Sequence, residues 1–191
     1  MNNLIKKPVG LDSAIATIQK DLYEQLCMVW KGDLEGYGRV YKNPVNTGEN
    51  VPDYYQTSKI VTPSWYNASL NDYQDTYYDD NKSAVFCFLT EENDNTQDSI
   101  VYTTSVKIAF MVDLSKIYPS DKERQDSKSQ RDVVEILRNY DFQKYNITGI
   151  ERRIDYVFRE YLTSSIRFND MHPLHCFAVK IDLEYFLTDK C

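Results

Sequence analysis

Glycine and histidine are scarce in this sequence, and the motifs that depend on them are missing. The 191 residues include six glycines and two histidines. A glycine-rich phosphate loop or a dinucleotide-binding fingerprint needs glycines at fixed spacing, because the backbone must approach the phosphate groups closely. Neither pattern is present, and there is no serine elbow. We therefore predict that the protein is not an enzyme and that it carries no cofactor.

Long apolar runs and an excess of positive charge are missing as well. No run approaches the roughly 18 apolar residues that a membrane-spanning helix needs, and residues 1–10 lack the apolar stretch of a signal peptide. The net charge is −7 and the pI is about 4.9, so the chain repels phosphate backbones. We expect a protein that is assembled in a cytoplasm, without a membrane and without specific binding to nucleic acid.

What is present fits a folded domain that begins with a helix and a hairpin. Apolar residues make up 42% of the chain and charged residues 27%, which is close to ordinary globular composition. Residues 11–30 predict an amphipathic helix, because apolar side chains recur at spacings of three and four. Residues 84–89 and 100–114 predict the strands of a long antiparallel hairpin, joined by an acidic loop at 91–98.

The second half predicts two helices and a closing strand. Residues 133–140 have one apolar side, a second helical pattern begins at Gly149, and residues 177–187 alternate between apolar and polar. The fold class is therefore α+β, with an antiparallel sheet and a long β-hairpin packed on one face by the N-terminal helix and two further helices. We predict a single domain, 1–191, with a long tyrosine-rich insert at about 34–81.

Tyrosine is abundant, with 16 copies, and many of them lie in the insert. Tyrosine offers a large amphipathic contact area at low entropic cost, so it is typical of protein interfaces. A genome biased towards tyrosine and asparagine explains the same surplus, and stacking on sugar rings is a third interpretation. We predict that a group of aromatic residues forms a subunit interface: Tyr54, Tyr55, Trp65, Tyr66, Tyr73, Tyr77 and Tyr78.

Residues of the kind that bind zinc cluster at one place in the sequence. His172, His175 and Cys176 are such residues, and Cys27 or Cys87 would complete four ligands. No second paired cluster accompanies them, so we interpret them as turn and strand residues and the cysteines as free thiols. Four acidic residues of the insert lack the spacing of a calcium loop and are interpreted as a solvated loop; they are Asp72, Asp75, Asp79 and Asp80.

The layout of the predicted elements resembles that of tail-terminator and head-to-tail connector proteins of tailed bacteriophages. The matching parts are the N-terminal helix, the long hairpin, the helices that follow it and the closing strand. The family has no invariant motif, and the long insert sets this chain apart from its compact members. The composition is similar to that of phages of Bacteroides-like gut hosts, including the crAss-like group.

The resemblance implies a structural component of the virion neck, forming an oligomeric ring between portal or capsid and tail. Its partners would be its own subunits and neighbouring portal, ring or tail proteins, and DNA would pass through without specific binding. An acidic or charge-mixed lumen lets a polyanion slide, and we expect Asp113, Asp182 and Glu184, or the loop at 91–98, to line it. The alternatives are an intracellular protein-binding assembly adaptor and a carbohydrate-binding module.

Overall fold

The computed structural model describes residues 1–44, 61–67, 69–76, 78–121, 125–139 and 144–187. Its helices are α1 (Gly10–Val29), α2 (Leu114–Ile117), α3 (Asp126–Arg138) and α4 (Ile154–Val157), with a 3₁₀ turn at Thr163–Ile166. Its strands are β1 (Asn2–Asn3), β2 (Leu34–Pro44), β3 (Val61–Asn67), β4 (Asp72–Asp75), β5 (Ala84–Asp98), β6 (Val101–Asp113), β7 (Tyr145–Arg152) and β8 (Leu174–Tyr185). No helix in these ranges is long and apolar enough to cross a membrane.

The strands form one mixed sheet, in the order β4-β3-β2-β5-β6-β8-β7, with β1 added beside β2. Neighbouring strands are antiparallel except for β2, which is parallel to both β5 and β1. The α+β class with a largely antiparallel sheet is therefore confirmed. The described part of the predicted insert contributes β2, β3 and β4. Strand β2 pairs with β5 inside the sheet, and β3 and β4 extend the sheet beyond it.

The predicted N-terminal helix is confirmed as α1. Its buried side chains follow the apolar spacing of the sequence, at Leu11, Ile15, Ile18, Leu22 and Leu26. This stripe packs on the sheet together with α3, and each fully buried aliphatic side chain stabilises the fold by about 1.5–3 kcal/mol. The resulting first core includes a stack of three rings in which Phe110 lies between Phe86 and Phe177, with centroids 5.7 and 4.9 Å away.

The long hairpin is confirmed, but the predicted loop at 91–98 is wrong. Strand β5 continues through a bulge between Thr90 and Asn95 and pairs with β6 up to Asp98. The chain then turns at Ser99, whose φ of 62° suits a tight hairpin turn. Polar side chains fit this outer part of the hairpin because residues 96–100 are exposed to solvent.

The helix predicted from Gly149 is also wrong, because this part of the chain is strand β7. Apolar residues from Tyr145 to Ile150 alternate with polar ones, and β7 pairs along β8 with a bulge between Ile147 and Gly149. The apolar spacing that predicted a helix is met only in the short α4. Backbone pairing with β8 outweighs the weaker helical pattern, since helices of this length have little stability of their own.

Both faces of the sheet are covered, whereas one covered face was predicted. A second core lies on the face opposite α1, where Val157 and Phe158 of the α4 region, and Ile166 and Phe168 near the 3₁₀ turn, pack on β5, β6 and β8. The small and sulfur-containing side chains of these strands leave room for that layer. The polar outer face that was predicted is therefore confined to one half of the second face, towards the end of β8.

Candidate interaction surface at the sheet edge

Three tyrosines from neighbouring strands form a cluster at the β4 edge of the sheet. The ring centroid of Tyr73 lies 5.4 Å from that of Tyr66 and 5.6 Å from that of Tyr41, and both contacts are edge-to-face. Tyr73 is 45% exposed. We call Tyr41, Tyr66 and Tyr73 the edge aromatic cluster. Edge-to-face pairs of this kind contribute about 0.5–1.5 kcal/mol beyond the area that they bury.

Strand register explains why these rings meet. Tyr66 pairs directly with Tyr73, and Tyr41 pairs with Ser64 two residues before Tyr66. Directly opposed residues share a face and lie close enough for side-chain contact. The cluster lies on the α1 side of the sheet, because the hydroxyl of Tyr41 is 3.5 Å from the carboxylate of Asp12 in α1.

Trp65 belongs to the opposite face of the sheet. It pairs with Val40 of the second core, and its ring lies 5.1 Å from that of Tyr37. It is half-buried. The predicted interface residues of β3 and β4 are therefore divided between the two faces, with Tyr66 and Tyr73 on one side and Trp65 on the other.

The prediction that Tyr78 belongs to an interface is wrong. Its side chain is 4% exposed, its ring lies 5.0 Å from that of Phe168, and its hydroxyl donates a 2.9 Å hydrogen bond to the carbonyl of Lys82. Burial, with nearby carboxylates, raises the pKa of this phenol well above its usual range. Tyr78 is thus a core residue of its own subunit. Tyr54, Tyr55 and Tyr77 lie outside the described residues.

A small, open cleft lies next to the edge aromatic cluster, between α1 and strands β1 to β3. Its polar side chains include Asp12 and Arg39, whose carboxylate and guanidinium groups are 3.9 Å apart. Burial raises the pKa of Asp12 despite the charge of Arg39. Sequence reasoning missed Tyr41, Asp12 and Arg39.

The three acidic residues expected at a lumen have different environments, and the expectation for Asp113 is wrong. Asp113 is buried at the start of α2, where its carboxylate accepts hydrogen bonds from the amides of Ser115 and Lys116 at 3.0 and 3.4 Å. Its role is to cap that helix. Asp182 and Glu184 are half-buried on the polar half of the second face, and Asp182 accepts a 2.7 Å hydrogen bond from Ser105.

This polar half carries charges of both signs. The carboxylate of Glu151 lies 2.8 Å from the ammonium group of Lys107 and 3.5 Å from that of Lys180. Burial acts to raise the pKa of Glu151, but hydrogen bonds and charges from the two lysines outweigh it, so the pKa lies below its usual value. Asp182 and Glu184 therefore belong to a charge-mixed surface.

The zinc-type residues are separated by burial and by their partners. His175 is buried, and its Nε2 lies 2.9 Å from the side-chain nitrogen of Gln130. Cys176 and Cys87 are buried free thiols, and burial raises the pKa of Cys87 to about 12. His172 is exposed in a turn. Within the described ranges, no three histidine, cysteine or acidic side chains are placed to hold a metal ion.

The acidic residues of the insert make local contacts. Asp75 accepts hydrogen bonds from the hydroxyls of Thr62 and Ser64, at 3.3 and 3.1 Å. Asp79 accepts one from the backbone amide of Asn81 at 2.9 Å. Asp72 and Asp75 are in strand β4, whereas the whole acidic run was expected to be a loop.

Comparison of the chain with protein-family models, with curated proteins and with solved structures finds no match.

Proposed function

We propose that the chain is a structural subunit of an oligomeric ring in the neck of a tailed-bacteriophage virion. The observation that carries the proposal is the edge aromatic cluster, in which Tyr73 is 45% exposed at the rim of the sheet. An exposed aromatic cluster at a sheet edge is stabilised when another protein surface covers it. In a closed ring every subunit provides such a surface to its neighbour.

The element order supports the resemblance to neck proteins. Helix α1, the β5–β6 hairpin, helix α3 and the closing strand β8 follow one another as the resemblance implies. The second of the two later helices is replaced by β7 and the short α4. Strand β6 has 13 residues, which corresponds to a length of about 40 Å. The outer end of the β5–β6 hairpin, at residues 96–100, is exposed and available to a neighbouring ring.

The proposal assigns the polar half of the second face to the DNA channel. Asp182, Glu184, Glu151, Lys107 and Lys180 combine opposite charges on this surface. A surface of this kind neither grips nor strongly repels a phosphate backbone, so DNA passes without specific binding. Portal, ring or tail proteins would contact the two ends of the subunit.

Native mass spectrometry of the purified protein tests this function. We expect closed assemblies, such as hexamers or dodecamers, formed alone or with a neck partner. The Tyr73→Ser variant should shift the population to monomers and small oligomers, because it removes the exposed ring without opening the core. The control is Tyr156→Ser, which removes another exposed ring (59% exposed) from α4 and should leave the assembly unchanged. A wild-type chain that never exceeds a dimer would favour the assembly adaptor.

A carbohydrate-binding module is the second candidate, and the cleft beside α1 favours it. Aromatic rings from Tyr41 and Tyr66 border this cleft together with the polar side chains of Asp12, Arg39 and Asn3. Aromatic faces and planar polar groups suit sugar rings. Titration with a panel of oligosaccharides, followed by tryptophan fluorescence, separates the two candidates. A saturable change that is lost in Tyr66→Ala would support sugar binding.

A further inference from the structure

The sheet has two free edges, formed by β4 at one end and β7 at the other. No described strand pairs with the outer side of either strand. A free edge presents unpaired amide and carbonyl groups, which makes it a template for a strand of another chain. The question is whether the two edges of one subunit match each other.

Strand registers place both edges on one row of residues. Tyr73 pairs with Tyr66, and the pairing of Val40 with Trp65 puts Arg39 opposite Tyr66. Continuing across the sheet, the whole row is Tyr73, Tyr66, Arg39, Phe88, Ile108, Val179 and Ile150. The central members belong to the first core, so all of these side chains lie on the α1 face. Its two ends, Tyr73 and Ile150, are 45% and 36% exposed.

The backbone amide and carbonyl of Tyr73 point away from β3, towards the open edge of the sheet. Thr76 donates a 2.8 Å hydrogen bond to the carbonyl of Pro63, which identifies them as a hydrogen-bonded pair. Bonded and non-bonded pairs alternate along antiparallel strands, so the amide and carbonyl of Tyr73 face outward. Among the described residues, adjacent side chains bind both groups: Asp72 accepts from the amide at 2.7 Å, and Gln74 donates to the carbonyl at 3.1 Å. A pairing strand can replace these local contacts.

The backbone of Ile150 points outward by the same reasoning. The backbone amide of Arg153 donates a 3.1 Å hydrogen bond to the carbonyl of Cys176. The backbone amide and carbonyl groups of Glu151 and Gly149 are therefore directed towards β8, and those of Ile150 away from it. Tyr73 and Ile150 are therefore equivalent in all three respects. They lie on the same row, project from the same face and direct their backbone groups away from the sheet.

Charged side chains of both signs lie near the two edges. Strand β4 carries Asp72 and Asp75 without a cation among its described partners. Arg152 and Arg153 lie at the end of β7, and Lys144 precedes its start. The one acidic side chain of β7, Glu151, lies opposite Asp72 when Tyr73 is placed opposite Ile150. Its two lysine partners, Lys107 and Lys180, offset these negative charges.

We infer that residues 72–74 of β4 in one copy pair with residues 149–151 of β7 in the next copy, with Tyr73 opposite Ile150. The two strands run in opposite directions within the sheet, because β4 is parallel to β2 and β7 is antiparallel to β8. In a cyclic ring all copies have the same orientation, so the new pair is antiparallel. The bulge in β7 ends the pairing at Gly149, which limits it to three of the four residues of β4.

The inference rests on the proposed ring, whose subunits it would join into a continuous sheet. Directly opposed residues of a hydrogen-bonded pair have Cα atoms about 5.5 Å apart, a distance that a disulfide spans. The test uses Tyr73→Cys with Ile150→Cys in a Cys27→Ser, Cys191→Ser background. The remaining described cysteines, Cys87 and Cys176, are buried. Tyr73→Cys also removes the ring that supports assembly, so the variant is oxidised at high protein concentration, where the disulfide takes over the contact. Oxidation should then link subunits into a ladder that ends at the mass of the closed ring.

Two controls fix the register. Tyr73→Cys alone and Ile150→Cys alone should stay unlinked, but their mixture should give linked dimers. Tyr73→Cys with Asn146→Cys should not link, since Asn146 lies on the opposite face and beyond the bulge of β7. Ile150→Pro should release subunits as monomers, because it removes only an outward amide, and its far-UV circular dichroism should match that of the wild type.

The outcomes separate the inference from the function. A closed ring that forms without a disulfide between positions 73 and 150, and that tolerates Ile150→Pro, overturns the edge pairing and leaves the ring function standing. Linked open ladders without a closed species support the edge pairing and overturn the ring. If the wild type stays monomeric and the double-cysteine variant never links, both the edge pairing and the ring are overturned.

Discussion

The hydroxyl of Tyr118 donates a hydrogen bond to Oδ2 of Asp132, and both residues are buried. The indole nitrogen of Trp30 lies 3.3 Å from the same carboxylate oxygen and 3.1 Å from the Tyr118 hydroxyl. This triad joins the end of α1, the residue after α2 and the first half of α3. Burial and the Asp132 carboxylate together raise the pKa of Tyr118 well above its usual range.

Replacing Asp132 with alanine should destabilise the fold strongly. The change leaves the buried hydroxyl of Tyr118 without its acceptor, at a cost of about 1–3 kcal/mol for an unpaired buried group. The indole N–H of Trp30 keeps only its hydrogen bond to Tyr118. Urea denaturation measures the loss. The control is Glu135→Ala on the same helix, whose side chain is exposed and pairs with Arg131; it should cost less than about 0.5 kcal/mol. Equal effects of the two variants would contradict a structural role for the triad.

Replacing Asp113 with alanine should destabilise the fold more than replacing Asp182, although both residues were expected at a lumen. Asp113→Ala removes the cap of α2 and should lower the free energy of unfolding by about 0.5–2 kcal/mol. Asp182→Ala loses one hydrogen bond, to Ser105, at a half-buried site, and should cost no more than about 1 kcal/mol. Thermal melts of both variants make the comparison. A larger loss of stability in Asp182→Ala than in Asp113→Ala would contradict the role of Asp113 as the cap of α2.

The Glu151 ion pairs should give the protein a pH-dependent stability at acidic pH. The pKa of Glu151 is lower in the folded chain than its usual value of 4.5. Its contribution is therefore complete above that value and is lost as the pH falls through the lowered pKa. The wild type should be more stable than Glu151→Gln at pH 7, and the difference should shrink below pH 4.5. Denaturation curves over this range test it, with Glu135→Gln as the exposed control. If the stability difference between the wild type and Glu151→Gln grows as the pH falls, the pKa of Glu151 is not lowered in the folded chain.

The described cysteines should react with iodoacetamide at very different rates. Cys27 is exposed on α1, whereas Cys87 is buried and burial raises its pKa to about 12. Since the thiolate is the reactive form, Cys27 should be alkylated in the native protein and Cys87 only after denaturant is added. Peptide mass spectrometry reports each site. Native labelling of Cys87 as fast as that of Cys27 would show that the second core is open.

Local pattern predicted those elements in which one physical cause dominates. The apolar stripe of α1 and the alternation of β6 and β8 were sufficient, because each element buries one regular face. Residues 91–98 and 145–152 were misjudged for a shared reason. Both are strands that backbone pairing supports, residues 91–98 with the start of β6 across the hairpin turn and residues 145–152 with β8. Their side chains do not alternate regularly between apolar and polar, so the sequence pattern did not reveal the strands.

The edge aromatic cluster was predicted only in part. The tyrosine surplus pointed to Tyr66 and Tyr73, but it equally pointed to Tyr78, which is a core residue. Tyr41 was not recognised because it is far from the other two in sequence. Register alone brings the three rings together, and register depends on which residues pair across strands.

Composition and periodicity by themselves determined the α+β class, the amphipathic first helix and the long hairpin, since these follow from how a chain hides its apolar side chains from water. The tertiary structure decided which side chains are exposed. It covered both faces of the sheet, buried Tyr78 and Asp113, and left Tyr73 and Ile150 at opposite ends of one row. Such relations arise between residues far apart in the chain, and only strand pairing and packing fix them.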